Sequence, residues 1–149
     1  MYIRKATKRD LNAINALQGL YGKMTVDPKL INHRDISLVA ISSSPDADLL
    51  GFVWGGLMAG NSLMYIDKVV VHPGASGRGV LNALYRELFE RGLKIGVKTG
   101  IGLIKRDKYH DKSAINALKM AFAADPIPYT YVFGDTAHMV SELSLLEAS

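Results

Sequence analysis

The chain contains no cysteine, and that absence excludes a disulfide framework, a cysteine nucleophile and a thiolate metal site together. It also lacks a long apolar run. The longest such window, Leu49 to Gly60, is too short to span a bilayer and is broken by Gly51, Gly55, Gly56 and Gly60. The opening Met1-Tyr2-Ile3-Arg4-Lys5 leads into charge rather than an apolar segment, so no signal peptide and no membrane association are expected. No His/Asp/Glu set has the spacing of metal ligands, so no metal is expected either. No Lys/Arg run reaches the density of a nucleic-acid-binding arm, and no aromatic platform or recognition helix accompanies the basic stretch Lys105 to Lys112. Internal repeats, linkers and low-complexity segments are missing.

What remains is an ordinary globular composition, 48% apolar and 21% charged, over 149 residues. This is one domain's worth, and residues 1–149 read as a single domain with one sizeable core. A formal charge of +4 makes the molecule mildly basic and favours anionic ligands. The expectation is a soluble, cytoplasmic protein.

The organising stretch runs from Tyr65 to Gly92. A β-branched run ends at His72-Pro73, Gly74, Gly77 and Gly79 follow, and a helix-period pattern then continues from Val80. A strand, a tight turn and a helix are predicted. Glycines in such a turn let backbone N–H groups point at a ligand, and the turn feeds the positive end of a helix dipole, which suits a phosphate. Two nucleotide motifs fail on spacing. A Walker loop needs Gly-Lys-Ser/Thr, where this chain has Gly77-Arg78-Gly79-Val80; a dinucleotide fingerprint needs a third glycine, and Asn82 stands in its place.

The rest of the chain arranges itself around that turn. Tyr2 to Ala6 is β-like, and Thr7-Lys8-Arg9-Asp10 spells a capping box before Leu11, Ile14, Leu17, Gln18 and Tyr21 at helical spacing. The segment to Arg34 has room for one short second helix. Ile36 to Ile41, Leu49 to Met58 and Leu63 to Val71 read as consecutive antiparallel strands, with glycine bends at Gly55-Gly56. The central helix presents a Val80, Leu84, Leu88 stripe to the core and Arg86/Glu90 and Glu87/Arg91 pairs to water. Ile95 to Ile104 is a glycine-rich strand, and Gly96, Gly100 and Gly102 suit a place where a sheet splays or a ligand approaches closely. Asp111 caps a helix carrying Ile115, Leu118 and Phe122. Tyr129 to Phe133, a Gly134-Asp135 turn and Met139 to Leu145 read as a closing hairpin. The predicted order is β-α-(α)-β-β-β-α-β-α-β-β.

The turn with V-x-P-x-x-x-G-x-G-V ahead of an amphipathic helix resembles the acetyl-CoA motif of the GNAT N-acetyltransferase superfamily, Gln/Arg-x-x-Gly-x-Gly/Ala, with its core on Ser76-Gly77-Arg78-Gly79-Val80-Leu81. Ser76 stands where Gln or Arg is usual, and Leu81 where Gly or Ala is usual. The element order is also that of the GNAT fold, over almost the whole chain. The resemblance implies an α/β (α+β) fold with a single mixed, mostly antiparallel sheet, and acetyl-CoA as cosubstrate. It implies acetyl transfer to an amine acceptor, small molecule, peptide or protein, by direct attack in a ternary complex. The segment from Gly19 to Arg34 would line the acceptor site, and a homodimer is one assembly open to such a chain.

For the chemistry, the amides of Gly77, Arg78, Gly79, Val80, Leu81 and Asn82 are the candidate pyrophosphate donors, with the Arg78 side chain as counter-charge. The resemblance implies that pantetheine lies like an added strand along Val69, Val70 and Val71. One of those amides would then polarise the thioester carbonyl. Asp67 is the candidate base: strand alternation puts it on the face of Val69 and Val71, although a salt-bridged Asp beside Lys68 is the structural alternative. His138 and Glu142 are its rivals. The family's usual acid, a Tyr in the helix after the fifth strand, falls on Leu118 and is absent; Tyr109 lies at the start of that region. The departures at Ser76, Leu81 and Leu118 leave a second reading open, a non-catalytic module that binds CoA or a protein partner.

Overall fold

The computed structural model describes residues 1–22, 36–58, 60–105, 129–135 and 140. Within them, six strands form one sheet: β1 (Tyr2–Lys5), β2 (Ser37–Ile41), β3 (Leu49–Met58), β4 (Leu63–Val71), β5 (Thr99–Lys105) and β6 (Tyr129–Asp135), neighbouring one another in chain order. All neighbours are antiparallel except β4 and β5, which run parallel. A parallel pair needs a crossover, and the helix α2 (Val80–Lys94) supplies it. The sheet is therefore single, mixed and mostly antiparallel, as expected from the sequence.

Two helices cover opposite faces. Helix α1 (Leu11–Gly19) places Ile14 and Leu17 against Val39, Ile41, Phe52, Trp54 and Val70. On the other face α2 places Val80, Leu84, Tyr85, Leu88 and Phe89 against Leu38, Ala40, Val53, Met64 and Ile66. Side chains alternate along β2, so Val39 and Ile41 serve one layer while Leu38 and Ala40 serve the other. Each fully buried apolar side chain of this kind stabilises the fold by about 1.5–3 kcal/mol. The polar edge of α2 carries the Arg91–Glu87 pair at 2.7 Å and the Arg86–Glu90 pair at 3.7 Å, both part-exposed.

The entry to α1 is fixed by one carboxylate. Asp10 accepts from the backbone N–H of Thr7 at 2.7 Å and from its hydroxyl at 2.9 Å, and a 3-10 turn over Lys8–Asp10 precedes the helix. The same carboxylate takes both terminal nitrogens of Arg4 on β1.

Three sequence expectations change. The strand expected from Ile95 starts only at Thr99, because α2 continues to Lys94 and Gly96, at φ 92°, closes it in the left-handed region. Val97 N–H then donates to the Gly92 carbonyl at 2.9 Å, and the Val97 side chain is buried against α2. Gly134 and Asp135, expected to form a turn, extend β6 and pair with Gly100 and Thr99. Gly100 owes its small size to packing: a Cβ there would stand 2.7 Å from the Phe89 ring. The expected helix after Asp111, the strand Met139 to Leu145 and the short helix before Arg34 lie outside the described residues, Val140 excepted. Among the described residues no helix is long and apolar enough to cross a membrane, and no cluster of three His, Asp or Glu could hold a metal ion.

Candidate functional site

The site is built where β4 parts from β5. Pairing between them covers Leu63↔Thr99 to Ile66↔Gly102 and goes no further, although β4 runs on to Val71 and β5 to Lys105. Along that upper half β4 stays paired with β3, and His72 N–H donates to the Leu50 carbonyl at 2.8 Å. In an antiparallel ladder hydrogen-bonded and non-hydrogen-bonded pairs alternate. Counting down from the bonded pair His72/Leu50, the opposed pairs Val71/Gly51 and Val69/Val53 are non-bonded. The N–H and C=O groups of Val69 and Val71 therefore point away from β3, toward the opening. Their side chains pack on the α2 layer, while Val70 is buried on the α1 layer.

One carbonyl on this edge is occupied from within the chain. The Tyr21 hydroxyl, just past the end of α1, donates to the Val71 carbonyl at 2.6 Å. Tyr21 is half-buried, and burial pushes its phenol above the ordinary tyrosine range, so it stays protonated as a donor.

Below the open edge lies a bulge. Trp54 and Gly55 are adjacent on β3 but oppose Lys68 and Ile66, leaving Asp67 as the extra residue of β4. Met64 and Ile66 face the α2 layer, and so do Val69 and Val71, so the parity of the strand reverses across Asp67. Simple alternation therefore does not assign the Asp67 side chain to a face; the residue is half-buried at the point where β4 leaves β5. The sequence carried a faint trace of this in Gly55, which faces the bulge and whose Cβ would stand 3.1 Å from the Ile36 carbonyl oxygen.

Above the edge comes the glycine turn. His72 Nδ1 accepts from Gly74 N–H at 3.0 Å, a 3-10 turn covers Pro73–Ala75, and Ala75 is buried. Gly77 and Gly79 both take φ 75°, and Gly79 is the N-cap of α2. The Arg78 N–H is used inside the turn, donating to the Ala75 carbonyl at 3.3 Å, and the first bond of α2 runs from Ala83 N–H to the Gly79 carbonyl. The amides of Gly77, Gly79, Val80, Leu81 and Asn82 are left without an acceptor among the described residues. Of the six expected phosphate donors, Arg78 alone is tied up through its backbone. Its side chain is on the exposed turn and makes no ion pair among the described residues.

The turn and the open edge are thus consecutive on the chain, one offering N–H groups to an anion and the other offering donors and acceptors to an extended chain. Tyr109, His110, Leu118, His138 and Glu142 lie outside the described residues. Tyr21 is the site residue that sequence reading missed, because it reaches Val71 across fifty positions and nothing local marks it.

No family model matches the chain, and no curated protein matches it by sequence. Its fold has many solved counterparts. Ard1 from Thermoplasma volcanium superposes with a TM-score of 0.74 at 13% identity, over 89% of this chain and 94% of that one. The PaiA N-acetyltransferase of Thermoplasma acidophilum, solved with coenzyme A, gives 0.73 at 14% identity, over 90% and 98%. The putative acetyltransferase yncA of Salmonella typhimurium, solved with acetyl-CoA, gives 0.69 at 17% identity, over 91% and 94%. With strand order, parallel β4/β5 pair and crossover helix in agreement, the fold of this chain is the GNAT acetyltransferase fold.

Proposed function

We propose that the protein is an acetyl-CoA-dependent acyltransferase that acetylates an amine by direct attack in a ternary complex. The observation that carries this reading is the continuity of two features: the open β4 edge at Val69 and Val71 runs straight into the turn whose amides from Gly77 to Asn82, Arg78 apart, have no acceptor among the described residues. A pyrophosphate suits the turn, because unpaired N–H groups and the α2 dipole both favour negative charge. An extended pantetheine arm suits the edge, because Val69 and Val71 offer it the alternating donors and acceptors of a missing strand.

In the reaction the amine nitrogen attacks the thioester carbon, and negative charge develops on the carbonyl oxygen. The Val69 N–H is the donor assigned to that oxygen. Collapse forms the amide, breaks the carbon–sulfur bond and releases CoA thiolate. The amine's proton goes to the Asp67 carboxylate, directly or through water. The thiolate takes a proton from water, since Leu118 replaces the family's tyrosine. Proteins of the same fold solved with coenzyme A or acetyl-CoA support the cofactor, and this chain's acceptor stays unnamed.

The same leucine favours a second reading, a CoA-binding module without catalysis. Calorimetric titration with acetyl-CoA and CoA, followed by an acetylation screen over amines and peptides, separates the two. Absence of CoA binding overturns both; binding with no acetylated product in the screen leaves the module.

A further inference from the structure

The hydroxyl of Tyr21 sits on the acceptor that an arm lying along β4 would need first. Val71 presents its carbonyl to the open edge, and that carbonyl is held at 2.6 Å by the Tyr21 phenol. A half-buried carbonyl gains from a donor, and the phenol fills the place of a missing strand. We propose that Tyr21 is a positioning residue that stands in for the pantetheine amide: it holds the Val71 carbonyl while the slot is empty and yields it when the arm binds. This inference rests on the cofactor reading above.

The hand-over has a second end. Tyr21 lies in the last turn after α1, where Leu20, Tyr21 and Gly22 donate to the carbonyls of Ala16, Gln18 and Gly19 at 3.3, 3.0 and 3.1 Å. The long bond from the phenol to Val71 ties this helix end to the middle of the sheet. Once the arm takes the carbonyl, the helix end loses its tether.

Titrating CoA and 3′,5′-ADP into the wild type and Tyr21→Phe tests this, because the second ligand keeps the adenosine with its 3′-phosphate and one 5′-phosphate and lacks the arm. Removing the competing hydroxyl should tighten CoA by roughly two- to tenfold, the range spanned by one net hydrogen bond, and leave 3′,5′-ADP unchanged. Equal affinities of wild type and variant for CoA, weaker CoA binding by the variant, or equal changes for both ligands overturn the hand-over. If Tyr21→Phe does not fold, hydrogen exchange on the wild type serves. The amides of residues 20–22 should exchange faster with saturating CoA and not with 3′,5′-ADP; unchanged or slower exchange with CoA overturns the proposal. A wild type that binds no CoA overturns the cofactor reading with it, whereas CoA binding without these differences overturns the role of Tyr21 alone.

Discussion

Phe89 of α2 brings its ring edge so close to β5 that Gly100 has no room for a side chain, the nearest ring carbon standing 2.7 Å from where a Cβ would be. This contact sets how closely α2 approaches the strand that parts from β4. Gly100→Ala should destabilise the fold by about 1–3 kcal/mol, the usual scale for overpacking. Phe89→Leu in the same chain should recover part of the loss, since it removes the obstructing ring edge. Chemical denaturation of the two single variants and the double variant checks this; additive losses would place the clash elsewhere.

The glycine turn responds differently. Nothing lies within 4 Å of a Cβ at Gly77 or Gly79, but both take φ 75°, a region that costs an L-residue about 1–2 kcal/mol. Gly79→Ala should therefore lower stability by about 1 kcal/mol through the backbone alone. It should weaken CoA tenfold or more, because relaxing the turn re-aims the amides at the start of α2. Proline at Gly79 is a poorer probe, since its ring fixes φ near −65° and the turn would be lost together with the site. Calorimetry on the folded Ala variant is the measurement.

For the base, Asp67→Asn should slow acetyl transfer about a hundredfold or more, the scale for losing a general base. CoA affinity should stay near the wild-type value, because the binding contacts proposed above are backbone groups at Val69, Val71 and the turn. Steady-state rates with an acceptor found in the screen decide it, and an unchanged rate moves the role to another group.

Asp10 makes a prediction about acid. Hydrogen bonds from Arg4, with those from the Thr7 amide and hydroxyl, hold its carboxyl below the usual carboxylate range against the opposing effect of burial. A carboxyl lowered in the folded state contributes stability that is full above the ordinary Asp value and is lost as pH falls through the folded one. The wild type should lose stability as pH drops below about 4, and Asp10→Asn, already weaker at neutral pH by about 2 kcal/mol, should lose less over the same interval. Thermal melts at a series of pH values test it; parallel curves would remove Asp10 from the acid response.

How much of this the sequence discloses depends on the range of the forces involved. Leu49–Met58 and Leu63–Val71 were legible to the residue, because each is an apolar run of strand-forming residues bounded by turn chemistry, Ser42 to Asp46 before the first and Gly60-Asn61-Ser62 between the two. The turn was legible because Gly77 and Gly79 mark backbone conformations that few other residues take. Ile95 to Lys98 misled, because a β-branched pair around Gly96 looks like a strand, whereas Gly96 ends a helix. Gly134-Asp135 misled likewise: the pair has hairpin-turn chemistry, and its partners Gly100 and Thr99 on β5 override it. The role of Gly100 and the reach of Tyr21 are long-range facts. Neither Phe89 nor Val71 leaves a mark near them in the chain.

Asp67 has one consequence that concerns its presence rather than its chemistry. Below it the even-numbered residues Met64 and Ile66 serve the α2 layer, and above it the odd-numbered Val69 and Val71 do. The residue works as a phase shift, a single inserted unit that lets two incompatible reading frames share one strand. Excising it would straighten β4 and leave Val69 and Val71 on the α2 side and Val70 on the α1 side, whereas forcing it into regular alternation would carry Val69 and Val71 to the α1 side. Removal of position 67 would keep both layers and take away the local bend at the point where β4 leaves β5. The extra residue thus shapes the opening, while the layers are held by the residues on either side of it.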